Sequence, residues 1–478
     1  MIALGYIASL SYGIFCLLIA MLAYKFGVPK RYTRKIVHIL VGFEWAILYH
    51  FIGVNFHFVA VCLIFTALLI LSYKKSLMPM ISSDSDNAPG TVYYGISMTV
   101  MAIVSLLLEN FVFAFGIAVF CTSVGDGLAG VIGSSISACN PKIYKNKTII
   151  GTLSAFVFSF ASAYAFSLIY EQELGITYAL IVGAFAAGLE LITDFGLDNI
   201  TLPLGTAALS YALIYIEGTE NYIVPIILTP FVIALVLGKK ILTKKGVFAA
   251  VALDVIISVS LGNFGFVLLL SFLMLSVVID KLKKHSKRQD DNITKRGDER
   301  DSVQVFANGL IPAVFAVIAF LTGHFVFVLA FNVALAECFS DTAASGLGSF
   351  AKKVYDPFRR KKLQNGLSGG MSVIGTVASL IAPFDFLTIS LAFGVLNVKW
   401  WLISSVCAFL GAVFDSALGS LIQAKYRCAL CNCITEREVH CNKKTEKIAG
   451  MRIITNDVVN ILSVAFSSAL SIALYFII

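Results

Sequence analysis

Charge is what this sequence has least of. Of its 478 residues only 13% are Asp, Glu, Lys or Arg, while 58% are hydrophobic and the mean hydropathy is +0.88. No soluble domain of this length has such a composition. Period-two alternation is missing from the apolar runs, which excludes a transmembrane β-barrel. The start, Met1-Ile-Ala-Leu, lacks both the charged region and the cleavage site of a signal peptide, so the first run is expected to remain as an uncleaved span. The net charge of +8 sits in loops, where it sets topology; no nucleic-acid partner is expected. Cysteines are few and mostly apolar in setting. Cys16, Cys62, Cys121, Cys139, Cys338 and Cys407 read as small core residues.

What is present is a chain of apolar runs, each long enough to cross about 30 Å of hydrocarbon. The fold class expected is all-α, a polytopic transmembrane helical bundle of about sixteen spans in two related halves. The spans are placed at 3–24, 36–52, 56–73, 91–108, 112–133, 149–170, 174–191, 201–216, 222–238, 246–260, 264–281, 304–321, 323–340, 370–397, 400–421 and 452–476. The run 370–397, with Pro383 and Asp385, is counted once, which keeps the basic loop 424–448 on the side of the other basic loops. Those loops carry Lys25, Lys30, Arg31, Arg34 and Lys35, then Lys74 and Lys75, Lys142, Lys145 and Lys147, and Lys239, Lys240, Lys244 and Lys245. The alternate loops carry Glu109, Glu171, Glu173, Glu217 and Glu220. The positive-inside rule then puts both termini outside and the basic loops in the cytoplasm. The loop 281–303, the most basic, reads as a solvated linker or anionic-lipid anchor.

The chain is organised around Val124 to Ser134, Val-Gly-Asp-Gly-Leu-Ala-Gly-Val-Ile-Gly-Ser. A carboxylate at the end of a membrane helix is costly and is functional by default. Asp126, Ala129, Gly133 and Ser134 recur 215 residues later as Asp341, Ala344, Gly348 and Ser349. The shift places the domain join near residue 220, giving halves 1–220 and 221–478. Asp126 ends the fifth span and Asp341 the thirteenth, so both fall on the cytoplasmic side. That parity favours two enzyme sites over the inverted repeats common in transporters.

Around Asp126 stand three further motifs. Arg34-Lys35-x-x-His38-x-x-x-Gly42 opens the second span, with Glu44 just inside; a histidine there needs a partner. Lys142-x-x-Lys145-x-Lys147-Thr148-x-x-Gly151-Thr152 puts lysines beside Gly and Thr at a helix start, which suits a polyphosphate: point charges plus free backbone N–H groups. Lys35, Lys142, Gly151 and Thr152 are the phosphate-binding candidates. Glu190-x-x-x-Asp194-x-x-x-Asp198-Asn199 gathers carboxylates and an amide in one polar break, able to hold Mg²⁺ with water and phosphate oxygens.

The order Arg-Lys-x-x-His, Gly-Asp-x-x-Ala, Lys-Thr-x-x-Gly-Thr, then Glu with Asp-Asn-x-x-x-Pro resembles the dolichol kinase/phytol kinase family over residues 30–215. The resemblance implies CTP-dependent phosphorylation of a polyisoprenoid alcohol. It implies that Asp126, Asp198 and Asn199 bind metal and phosphate and that Lys147 steadies the nucleotide phosphates. His38 would be a base or a contact of the lipid hydroxyl.

In the second half, Asn308-Gly309 lies in span twelve, Asp341-Thr342-x-Ala344-Ser345 ends span thirteen, and Asn365-Gly366-Leu367-Ser368-Gly369-Gly370 precedes span fourteen. Ser368, Gly369 and Gly370 could cradle phosphate on exposed N–H groups. Asp341, Asp415 and Asp457 are expected at cytoplasmic helix ends, as metal ligands. Residues 225–478 look like the membrane family that includes plant phytyl-phosphate kinase, and the similarity implies a second phosphorylation, monophosphate to diphosphate. The family's acidic residue after Asp-Thr-x-Ala-Ser is Gly346 here, and its Gly-Thr-x-Gly-Gly is Gly-Leu-Ser-Gly-Gly. Cys428, Cys431, Cys433, His440 and Cys441 offer five candidates for the four places of a structural Zn²⁺.

The expected protein is thus a fused isoprenoid-lipid kinase. Its partners are an isoprenoid alcohol and its monophosphate, a nucleotide and the bilayer; its cofactor is Mg²⁺ with CTP as donor. It is expected as an integral multi-pass protein of a prokaryotic plasma membrane, with sites facing the cytoplasm. A CTP-dependent lipid-phosphate cytidylyltransferase and a lipid transporter or flippase are the alternatives.

Overall fold

The computed structural model describes residues 1–75, 89–136, 140–170, 175–284, 299–364 and 366–478. Cys139, Glu171, Glu173, Asn365 and most of the loop 281–303 lie outside them. The chain divides into two compact units, Met1–Gly238 and Lys239–Ile478. The sequence put the join near 220; the last helix before Gly238 belongs with the first unit.

The first unit runs α1 (Ile2–Lys25), α2 (Lys30–Val41), α3 (Glu44–Phe51), α4 (Phe56–Lys75), α5 (Gly90–Leu107) and α6 (Phe111–Phe120). A π-helical turn, Cys121–Asp126, joins α6 to α7 (Gly127–Ser135). The antiparallel hairpin of β1 (Lys142–Tyr144) and β2 (Lys147–Thr148) leads into α8 (Ile149–Ile169), α9 (Ile176–Ile192), α10 (Asp198–Tyr215) and α11 (Ile223–Gly238). The second unit has α12 (Lys244–Lys284), α13 (Ser302–Thr322) and α14 (Phe325–Gly348), the hairpin β3 (Val354–Asp356) and β4 (Lys361–Leu363), then α15 (Val373–Ala392) and α16 (Val398–Leu421). A small polar subregion follows: β5 (Lys425–Arg427), β6 (Ile434–Thr435), β7 (Val439–His440), β8 (Lys443–Lys444) and β9 (Glu446–Ala449). α17 (Asn456–Ile477) closes the unit.

This is a polytopic helical membrane protein. Twelve helices among the described residues are long and apolar enough to cross a membrane. The difference from about sixteen expected spans has local causes. The run 36–52 is split at Gly42-Phe43 into α2 and α3. α9 has only 17 residues, and α10 opens on Asp198 and Asn199. The runs 246–260 and 264–281 form one element broken at Gly262, whose φ of 60° and ψ of −148° leave the helix; glycine takes such a conformation without steric cost. The run 370–397 is one helix, α15, which holds Pro383 in its interior.

Each unit packs around one buried helix. In the first it is α6, where Ala114, Ile117 and Ala118 have no exposed surface. In the second it is α14, where every residue from Leu329 to Ser340 is buried. The outer helices carry exposed leucine and isoleucine, as Leu4, Ile7 and Leu10 do on α1, a face for lipid rather than water.

The same construction recurs after each central helix. The helix ends in small residues, a β-hairpin turns the chain, and a hydroxyl caps the next helix. Thr148 Oγ1 accepts from Gly151 N at 3.2 Å, and Ser372 Oγ accepts from Gly375 N at 3.1 Å. The absent side chains at Gly133 and Gly151, and at Gly348 and Gly375, let the two backbones touch. A Cβ on Gly133 would stand 2.9 Å from Gly151 Cα, whereas one on Gly348 would stand 3.4 Å from Gly375 Cα. Gly133→Ala is therefore expected to cost about 1–3 kcal/mol of stability. Gly348→Ala should cost clearly less. Unfolding midpoints in detergent rank the two, and equal losses would contradict the packing described.

Candidate active site

The first unit assembles ionic groups from four distant stretches. α2 presents Lys35 and His38, the π turn ends on Asp126, β2 supplies Lys147, and α9 and α10 supply Glu190 and Asp198. Asp126 is 5% exposed, Glu190 likewise, so neither charge could stand alone. Lys35 Nζ pairs with Asp126 Oδ2 at 2.7 Å and also donates to its backbone carbonyl at 3.2 Å. His38 Nε2 lies 3.5 Å from the same Oδ2 and 3.2 Å from Thr122 O. That carbonyl belongs to the π turn Cys121–Asp126; such turns are frequent at functional sites. With Nε2 engaged as the donor to Thr122 O, Nδ1 is the basic nitrogen of the ring.

Lys147 pairs with Glu190. Burial alone would pull the Lys147 ammonium down; the carboxylates of Glu190, Asp126 and Asp198 outweigh it and hold the group at about 12. At neutral pH it is a fixed cation. At the rim Lys145 Nζ pairs with Asp194 Oδ2 at 2.6 Å, which raises the Lys145 pKa. Asp198 Oδ1 accepts from both the backbone N and Nδ2 of Asn199 at 3.0 Å. Ser97 Oγ on α5 donates to Asn199 O at 2.7 Å and fixes the start of α10.

A cavity of about 860 Å³ joins this cluster to the apolar side of the unit. Arg34, Lys35, His38, Asp126, Lys147, Asp198 and Asn199 line its polar part; Leu10, Gly13, Leu17, Phe65 and Met98 line the rest. Tyr94 lies in it with its ring 5.3 Å from the His38 ring, and its buried hydroxyl has no hydrogen-bond partner among the described residues. Glu44 also reaches the cavity and accepts from Ser9 Oγ.

Of the residues singled out from the sequence, Lys35, His38, Asp126, Lys147, Glu190, Asp198 and Asn199 come together. Three do not join them. Lys142 is exposed and donates to Asn146 Oδ1 at 3.3 Å. Gly151 N is taken by the Thr148 cap, and its Cα faces Gly133. Thr152 is buried at 8% exposure in α8. Asp126 was expected at a helix end; it lies instead before α7, because Gly127, Ala129 and Gly130 allow the helix to continue past it. Tyr94 and Ser97 were not anticipated: nothing in an apolar helix distinguishes a site-facing hydroxyl.

In the second unit Asp341 lies within α14 and Asp415 within α16, not at helix ends; Asp457 is in the first turn of α17. Glu337, one turn before Asp341, was missed. It is 1% exposed, and the Asp415 and Asp341 charges act on it. Ser463 Oγ reaches Asp415 Oδ2 at 3.4 Å. A carboxylate at position 346 would have no room, since the Ile279 side chain fills the space beside Gly346. Glu337 supplies an acidic group from the other direction along the helix.

The glycine turn packs on the end of α16. Gly369 has φ 83° and lies against the Ser420 backbone, where any side chain would collide. Ser368 donates through both N (3.0 Å) and Oγ to Glu436 Oε1. Gln423 Nε2 donates to Ser368 Oγ at 3.0 Å, and Lys425 Nζ to Ser368 O at 2.9 Å. An anionic oxygen thus already sits on the donors expected to meet phosphate. Of the five zinc candidates, Cys428, Cys431, His440 and Cys441 converge.

Fold and site together define a polytopic helical membrane protein with a buried carboxylate–lysine cluster in its first unit and a buried glutamate, Glu337, near Asp341 and Asp415 in its second. Residues 227–468 match the family described as integral membrane protein DUF92, and the chain belongs to that family. Among curated proteins it is similar to a phytol kinase of Synechocystis, 29% identical over 195 residues, which are 38% of this chain and 80% of the relative. An uncharacterised membrane protein of Methanocaldococcus jannaschii is 28% identical over 202 residues, 41% of this chain and 80% of the relative. The chloroplastic protein VTE6 of Arabidopsis thaliana is 22% identical over 237 residues, 48% of this chain and 64% of the relative. No solved structure matches the chain.

Proposed function

We propose that the protein is a membrane isoprenoid kinase that phosphorylates a prenyl alcohol in its first unit and the resulting monophosphate in its second. The observation that carries this reading is the cavity of the first unit, which places an apolar groove and a carboxylate–lysine cluster in one space. A lipid alcohol needs both: dry walls for its chain and charged groups at its hydroxyl. The similarity to a phytol kinase supports the same substrate class.

Phosphoryl transfer asks mainly for positioning and charge neutralisation. Asp126, Asp198, Glu190 and the Asn199 amide offer hard oxygen donors, the kind that Mg²⁺ takes. Bound there, Mg²⁺ would neutralise nucleotide phosphate charge. Lys35 and Lys147 neutralise the carboxylates in the ligand-free chain and exchange these partners for phosphate oxygens. His38 takes the hydroxyl proton at Nδ1, while its Nε2–H stays on Thr122 O and beside Asp126. Tyr94 positions the ring and the substrate oxygen. CTP as donor rests on the family resemblance of the motifs, and the cytoplasmic side on the basic loops.

The test is purified protein with labelled CTP or ATP and a panel of isoprenoid alcohols and monophosphates. Free nucleoside diphosphate with a phosphorylated lipid supports the proposal; pyrophosphate release would overturn it in favour of nucleotidyl transfer. Asp341→Asn is expected to remove diphosphate formation, by about 10²–10³-fold, and to leave monophosphate formation unchanged. Loss of both steps would contradict two separate centres.

A further inference from the structure

The polar subregion between α16 and α17 gathers four side chains able to ligate a metal, apart from the groups assigned to the lipid chemistry. Its strands form a three-stranded antiparallel sheet in the order β6-β5-β9 and a separate hairpin of β7 and β8. Two turns protrude from these strands, and both carry cysteine. In the first, Asn432 N donates to Cys428 O at 2.9 Å and Cys428 N to Cys433 O at 3.0 Å, which curls Cys428-Ala-Leu-Cys431 into a knuckle. In the second, Cys441 and Asn442 form the two-residue turn between β7 and β8, with φ of 50° and 58°.

Two consecutive positive φ values match the tight turn of a two-residue hairpin, a place where glycine is favoured. Here Cys441 occupies one of them, and Asn432 has a φ of 59° in the first knuckle. Left-handed backbone at a non-glycine residue is uncommon and needs something in the surroundings to hold it. The turns bring the side chains of Cys428, Cys431, His440 and Cys441 together, with every ligand atom within 4.8 Å of every other. Cys441 Sγ lies 3.2 Å and Cys431 Sγ 3.5 Å from His440 Nδ1. A tetrahedron with Zn–S near 2.3 Å and Zn–N near 2.0 Å has S···N edges of about 3.5 Å. The four groups are therefore already at the spacing of one ion's ligands. Two sulfurs and a nitrogen could meet by chance; two knuckles meeting with four ligands, Cys428 among them buried, are the construction of a structural zinc site.

We propose that Cys428, Cys431, His440 (through Nδ1) and Cys441 bind one Zn²⁺, and that the ion holds the Glu436-bearing turn on Ser368 of the glycine turn. The chain path supports the second part. Cys428 follows β5, whose first residue, Lys425, donates to Ser368 O; Glu436 follows β6 and accepts from Ser368. Fixing the two knuckles fixes the stretch that bears both contacts. Cys433 Sγ is 3.1 Å from Cys431 Sγ and 3.8 Å from His440 Nδ1, but it stands outside the four. It is not a ligand. The soft S₃N donor set selects zinc over Mg²⁺ or Ca²⁺.

The test is elemental analysis of the purified full-length chain, followed by hydrogen exchange. The wild-type protein is expected to carry about one zinc per chain. Cys428→Ser and His440→Ala should lose it, and Cys433→Ser should keep it. Stripping the metal from wild-type protein with a chelator should speed amide exchange across 425–449 and at Ser368, with no change in α6. Wild-type chain free of zinc, zinc retained by Cys428→Ser, zinc lost from Cys433→Ser, or a Cys431–Cys433 disulfide in the intact mass would each overturn the site. Zinc present, with exchange unchanged on stripping, would overturn its hold on the glycine turn.

Discussion

Asp126→Asn is expected to abolish formation of the lipid monophosphate, by about 10³-fold or more, while the protein still converts supplied monophosphate to diphosphate. The substitution keeps the shape of the side chain and removes its charge. Asp126 meets Lys35 and lies beside His38, and its charge also reaches Lys147. Neutralising it removes a hard oxygen donor of the proposed Mg²⁺ site and the anion beside the His38 ring at the same stroke. Product analysis with alcohol and with monophosphate as separate substrates reads both halves of the prediction. Monophosphate synthesis at a tenth of the wild-type rate would show that Asp126 is a packing residue with a salt bridge and nothing more.

The second large effect is on Lys147, where stability and activity separate. Lys147→Ala leaves Glu190 as an uncompensated charge with little exposure, which costs about 3 kcal/mol or more. For a unit of this size that is a fall of roughly 6–12 °C in the unfolding midpoint. Combining Lys147→Met with Glu190→Gln removes both charges and should recover most of that loss. It should not recover kinase activity, which is expected to stay at least about 10²-fold down, because the Lys147 cation proposed to meet the nucleotide phosphates is gone and Lys35 alone remains of the two. A double variant that regained both would reduce the Lys147–Glu190 pair to a structural bridge.

The helices were legible because membrane spans are written locally. A run of about twenty apolar residues must be helical to satisfy its own backbone in lipid. The departures lie where local composition is ambiguous: Gly42-Phe43 splitting one run, Asp198 and Asn199 starting α10, and Gly262 bending α12. The hairpins β1–β2 and β3–β4 were not anticipated, since strands of two or three residues leave no periodicity to read. Of the site, the motifs gave the residue types and their order. They did not give partners. Lys35 and Asp126 are 91 positions apart, and the sequence grouped Lys35 with the phosphate-binding lysines rather than with the carboxylate it meets. Glu337 was hidden because the family pattern has its acidic residue at the position of Gly346, downstream of Asp341, whereas here an acidic residue lies one turn upstream. Glu436 lay unmarked among the charged residues of a basic loop, and only the folded turn brings it to Ser368.

The order of the first unit's ionic pairs along the chain has a consequence for how that unit is made. In Lys35–Asp126, Lys147–Glu190 and Lys145–Asp194 the cation comes first. A ribosome therefore delivers each lysine before the acid it will neutralise, and chains fold from the amino end as they emerge. Asp126 and Glu190, the two buried acids, are thus made after the lysine that neutralises each. Inverting one pair, so that the acid emerges first, would leave a naked anion waiting for tens of residues of synthesis, and biogenesis rather than the finished fold would bear the penalty.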